Sequence, residues 1–121
     1  MTTVERHQEI CEQFLAHAED EYDSGDNLQA AEKAWGAFAH CVNSIAIEEG
    51  WKVGTHRLLR DNAIRLIDRD PERAEVRRLQ LSAVELLHVN FYKELTTGDE
   101  IRHGIDDTRA LIEAMRDLAS R

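Results

Sequence analysis

The fold turns on residues 34–47, AWGAFAHCVNSIAI, fourteen consecutive positions without a single Asp, Glu, Lys or Arg. Trp35, Phe38, Val42 and Ile45 recur there at helical spacing as one apolar stripe. A second face carries Cys41, Ser44 and Ala37, continued upstream by Ala30, small residues that let a neighbouring backbone come close. A helix without charges around its circumference has to be covered on two flanks. Residues 28–49 therefore read either as the central helix of a bundle or as a helix whose second face meets another subunit.

The flanking segments supply helices to cover it. Upstream, Val4, His7, Cys11, Phe14, Leu15, Ala18 and Tyr22 share one face of a helix of about five turns, with Glu12, Glu19 and Asp20 away from it. Ser24-Gly25 stops that helix, and Asp26 or Asn27 can cap the next one, which predicts a tight antiparallel pair. Downstream, Gly50-Trp51-Lys52-Val53-Gly54 breaks the pattern. Thr55 then suits the N-cap of a short helix with Leu59, Ala63, Leu66 and Ile67 inward. Asp70-Pro71-Glu72 reads as N-cap, first-turn proline and dipole-favoured acid, opening a helix to about residue 95 with Leu81, Val84, Leu87, His88, Phe91 and Leu95 on its apolar face. Thr96-Thr97-Gly98-Asp99 repeats the stop-and-restart chemistry, and the last helix packs Leu111, Ile112, Met115 and Leu118, with a hitch expected at Gly104. The expectation is a single all-α domain over residues 1–121, an antiparallel up-and-down bundle of four main helices plus one short helix.

Composition agrees. One proline and six glycines are too few for an all-β fold that turns every ten residues or so. No apolar stretch approaches the ~20 residues of a membrane span, and the start MTTVERHQEI lacks the basic-then-apolar order of a signal peptide, so no membrane partner and a cytoplasmic location are expected. Cys11 and Cys41 lie among core-type residues without a CxxC or CxxH beside them and read as free buried thiols. The formal charge of −9 divides into −9 over residues 1–50, +3 over 51–78 and −3 over 79–121. Any polyanion contact would run through the middle segment alone.

Gly25-Asp26 leading into AEKAWGA at residues 31–37, then Ala39-His40, Gly50-Trp51, Thr55-His56 and LHVNFY at 87–92, resemble the PaREP-type branch of the HEPN superfamily over nearly the whole chain. The resemblance implies an HEPN-like antiparallel bundle, frequently dimeric, in a superfamily of nucleotide-linked modules, toxin-antitoxin partners and some RNases. HEPN-type RNases carry arginine followed after four to six residues by histidine, bringing a cation and a general acid or base to one phosphate. No arginine here has histidine at that spacing. The leading expectation is thus a non-enzymatic module that associates, as a homodimer and with a nucleotidyltransferase-like partner protein. The alternative is a nucleotide- or RNA-phosphate-binding protein or RNase.

The residues that could serve that alternative are few. Lys33 and His40 lie two turns apart on the second face of the central helix, suited to a phosphate and to a base or ribose. His88 falls among inward residues and reads as a core histidine held by a tyrosine, serine or backbone carbonyl, or as part of a polar cleft with Asn90 and Tyr92. Trp35 repeats with Phe38 and Val42 as core, or it stacks on a base; Trp51, in a glycine-bounded loop, is the better exposed aromatic. Arg57, Arg60, Arg65 and Arg69 begin a basic stripe, read as a solvated face pairing with Asp61 and Glu75 or as a phosphate or partner contact. Two Glu-x-x-His spacings, Glu85/His88 and Glu100/His103, match di-metal bundle ligands, but chance accounts for roughly one such pair, and neither metal nor other cofactor is expected.

Overall fold

Polar caps cut the chain where the loops predict. The structure is a computed structural model; it describes residues 1–93 and 97–121, without the side chains of residues 90–93. It is all-α: α1 (Thr3–Asp23), α2 (Asn27–Glu49), α3 (His56–Ile67), α4 (Ala74–Lys93) and α5 (Gly98–Ala119), with no strand among the described residues. The side chains of Thr2, Asp26, Thr55 and Thr97 accept the backbone N–H groups of Glu5, Gln29, Leu58 and Glu100, which satisfies one orphan donor at each helix start. Gly50, at φ 78°, closes α2 in the left-handed conformation, its N–H reaching Ala46 and Ile47 carbonyls.

The start of α4 departs from the expectation. The helix begins at Ala74, four residues after Asp70, because the Asp70 carboxylate takes the Arg73 guanidinium at 3.1 Å instead of capping. Residues 70–74 form a tight turn in which the N–H groups of Arg73 and Ala74 reach the carbonyls of Asp70 and Pro71. The expected inward positions Phe91 and Leu95, and the helix end near residue 95, lie outside the described residues. No hitch appears at Gly104. It sits inside an unbroken α5 where a Cβ would come 2.6 Å from Leu87 Cδ2, so glycine here serves the close approach of α4.

α2 touches all four other helices. Its small-residue face is buried within the single chain, Ala37 at 0%, Cys41 at 1% and Ser44 at 3% exposure. The uncharged middle of α2 is thus sheltered on both flanks without a second subunit, and it supplies no argument for one. α1 packs tightest where Gly36 meets the Phe14 ring, whose Cδ2 would lie 2.6 Å from an added Cβ. Buried polar groups are answered locally: Ser44 Oγ donates to the Cys41 carbonyl and Thr108 Oγ1 to the Gly104 carbonyl, both at 2.7 Å. Asn62 Nδ2 donates to the Lys52 carbonyl at 2.9 Å and ties the α2–α3 loop down. The exposed surface of 6773 Å² matches the roughly 6,700 Å² expected of a folded monomer this size.

One face is left uncovered. Leu81, Val84 and Leu87 of α4 are buried, yet Val76, Leu79, Leu86 and Val89 on its opposite side are exposed at 48, 66, 43 and 41%.

Candidate functional site

Between α2, α3 and α4 lies a cleft of about 410 Å³ with an aromatic corner. Trp35 projects from α2, one turn before Phe38, and the two rings stack at 5.4 Å between centroids. His88 from α4 stacks on Trp35 at 4.7 Å, and His56 at the start of α3 closes on both, 5.7 Å from Trp35 and 5.3 Å edge-on to His88. Behind them Glu32, one turn before Trp35, brings its Oε2 to 3.1 Å from His88 Nδ1. The half-buried His88 thus has a carboxylate among its partners, and that contact fixes the ring's orientation. Arg57 and Arg60 stand at the rim, one and four residues beyond His56. Arg60 Nε reaches the two Glu85 oxygens at 3.1 and 3.4 Å, whereas Arg57 has only a 3.9 Å approach to Asp61 and is 92% exposed.

The other sequence candidates go elsewhere. Lys33 and His40 sit on the α1 side of α2. Lys33 Nζ lies 4.4 Å from the centre of the Phe14 ring, and His40 Nδ1 is 2.7 Å from His7 Nδ1, with Phe14 edge-on at 5.6 Å. Burial and the neighbouring His7 charge pull the His40 imidazole below its ordinary pKa. Trp35 and His88 are brought together, then, and so are Lys33 and His40, but the two pairs are separate. Arg65 and Arg69 also leave the cleft: their guanidinium carbons lie 4.2 and 5.5 Å from the Trp51 ring centre. Trp51 is accordingly half-buried under cations rather than the open aromatic expected from its loop. Arg69 further binds Glu49 at 3.1 Å and the Leu118 carbonyl at 3.2 Å, and Arg78 pairs with Asp68 at 2.8 Å. The side chains of Asn90 and Tyr92 lie outside the described residues.

Two charged clusters serve the scaffold. Glu19, expected to face solvent, receives Arg102 through two bonds of 2.6 and 2.7 Å and Arg109 at 3.0 Å. Chiefly through the Arg102 bonds, its carboxyl is held down to about 2, despite partial burial. Cys11 and Cys41 are free and buried, facing each other across α1 and α2. The neighbouring Cys41 thiol lowers the Cys11 pKa, Cys11 together with burial raises that of Cys41, and Arg116 Nη2 lies 3.5 Å from Cys11 Sγ. Among the described residues no group of three or more His, Cys, Asp or Glu side chains could hold a metal ion. Glu85 and His88 share the cleft, but Glu85 is engaged by Arg60; the Glu100 carboxylate accepts the Thr97 hydroxyl at 3.2 Å, and that same hydroxyl accepts the Glu100 N–H.

His56, Glu32 and Glu85 were missed as site residues. His56 carried a signal, since Thr55 marks a helix start and the residue after it stands at the open end of α3. Glu32 and Glu85 carried none beyond helical spacing from Trp35 and His88, because the pairing of positions 32 and 88 is purely tertiary.

A profile of the archaeal PaREP1/PaREP8 family matches residues 6–112, and the chain belongs to that family. No curated protein and no solved structure matches it.

Proposed function

We propose that this PaREP1/PaREP8 protein is an HEPN-like module of antiparallel helices that works by association, forming a homodimer through the outer face of α4. The antiparallel run is supported by the α1–α2 seam, where His7 meets His40 while Phe14 meets Gly36: the partner number falls as the α1 number rises. The single observation that carries the association is the exposed apolar stripe. Four of the six large hydrophobic side chains exposed among the described residues fall on α4, with Leu79 two-thirds open. A free-standing chain of this charge gains nothing from such a stripe.

The order of residues along the stripe selects a second copy as its occupant. Val76 and Leu79 precede, and Leu86 and Val89 follow, a midpoint between Ser82 and Ala83. Two α4 helices crossing antiparallel at that midpoint set Leu79 against Leu86 and Val76 against Val89 in both directions, the self-complementarity that a two-fold interface requires. Ser82 and Ala83 at the crossing are small enough for close approach. A nucleotidyltransferase-like partner, the class implied by the HEPN-like resemblance, is the competing occupant. Sedimentation equilibrium over a wide concentration range tests the reading: a concentration-dependent dimer is expected. A monomer persisting at about 1 mM, which corresponds to less than about 4 kcal/mol of association, overturns it.

A further inference from the structure

We infer that the cleft between α2, α3 and α4 is a binding site for a small aromatic phosphomonoester, a planar ring bearing one phosphate group. Every side chain that would hold the ligand belongs to one chain, and of the α4 stripe only Val89 borders the cleft.

The volume, about 410 Å³, lies within the ~300–1,000 Å³ typical of small-molecule sites. The interior is apolar: Phe38, Leu59 and Leu81 form its floor, and all three are buried in the core. Trp35 does not itself offer a free platform, since Phe38, His88 and His56 already engage it. Its role is to hold the two imidazoles at the wall. An apolar body entering between this wall and the Leu59 side is removed from water, while its anionic end stays at the rim.

The rim supplies the donors. His56 and Arg57 are adjacent at the open end of α3, both exposed, and Arg60 is one turn further along the same side. Arg57 is the cation available to a ligand, because 3.9 Å to Asp61 is beyond hydrogen-bonding distance. Its planar fork matches two phosphate oxygens, and Arg60 can add a donor while keeping Glu85. Glu85, in turn, is an acceptor at the cleft edge for a ring N–H.

Charge decides between a small ligand and a polymer. The chain is −9 overall, and each rim arginine already has an acid beside it. Such a rim neutralises one phosphate but opposes a run of them, so the long-range attraction that polyanion binding needs is missing.

The test is calorimetric titration of the full chain with adenosine monophosphate, phenyl phosphate, adenosine, inorganic phosphate, octanoate and a short single-stranded RNA. Saturable binding of the two aromatic phosphates is expected, with adenosine and inorganic phosphate at least about tenfold weaker. Arg57→Gln and His56→Ala, both at exposed positions and checked for unchanged helicity and melting, are expected to weaken the aromatic phosphates about tenfold or more. Four results overturn the proposal: neither aromatic phosphate saturates in the millimolar range; both variants bind unchanged; octanoate binds as tightly as phenyl phosphate; or the RNA binds far more tightly than the monophosphate.

Discussion

Replacing Leu79 with glutamate isolates the α4 face from the rest of the molecule. Leu79 is 66% exposed and makes no part of either core cluster, so the change leaves the folded monomer nearly untouched: leucine and glutamate have similar helix propensity, and surface substitutions of this kind stay within about 0.5 kcal/mol. In the proposed dimer the same side chain is covered twice. Full burial of a leucine contributes about 1.5–3 kcal/mol, and two-thirds of that is about 1–2 kcal/mol per subunit, or about 2–4 kcal/mol per dimer. Each 1.4 kcal/mol is tenfold in affinity, so the dissociation constant of Leu79→Glu is expected to rise about 30-fold or more, before the cost of desolvating two carboxylates is added. Sedimentation of both proteins, with melting curves alongside, reads the two quantities separately. The reasoning is refuted if the variant dimerises as well as the native chain, or if it loses thermal stability as a monomer, since then Leu79 serves the core and not an interface.

Three further outcomes follow from the scaffold. Glu19→Gln is expected to destabilise by about 1–2 kcal/mol at pH 7, less than the full shift implies because the pair is partly open to solvent. A carboxyl whose folded pKa is depressed contributes above its unfolded value, near 4.5, and loses that contribution as pH falls toward about 2; urea unfolding of native and variant chains should converge over that window. His40 has a lowered imidazole pKa, so the unfolded chain binds its proton first; stability should fall as pH drops below about 6.5, and His40→Asn should flatten that slope between pH 7 and 5. Gly104→Ala should cost about 1–2 kcal/mol, overpacking against Leu87 outweighing the gain in helix propensity, and the double variant with Leu87→Ala should lose less than the sum of the two single losses.

What could be read from the residues alone was whatever rests on local spacing. Asp26 and Thr55 each cap the helix they precede, and the Ala37, Cys41, Ser44 face of α2 is buried as its lack of charge demanded; at the last helix the parallel with Gly25-Asp26 misleads, since Thr97 is the cap and Gly98 already lies in α5. The start of α4 was misjudged because Asp70 has two uses, a cap or an ion pair, and Arg73 three residues on wins it. The cleft was half legible. Trp35 and His88 stood out as an aromatic and a polar residue on inward faces, but Glu32 and His56 complete it through contacts between positions far apart in the chain, for which one sequence holds no pattern. Glu19 failed for the same reason: the wheel shows which side of α1 it occupies, not that α5 returns two arginines to that side.

The α1–α2 seam has a consequence for the route by which the chain acquires its shape. The two helices are joined by only Ser24, Gly25 and Asp26, and they share the most extensive helix–helix contact among the described residues, so little loop entropy opposes their meeting. That hairpin is the segment able to close first. α3, α4 and α5 then condense onto a template whose alanine-rich side is already in place, and lengthening the three-residue connection should slow refolding much more than it accelerates unfolding.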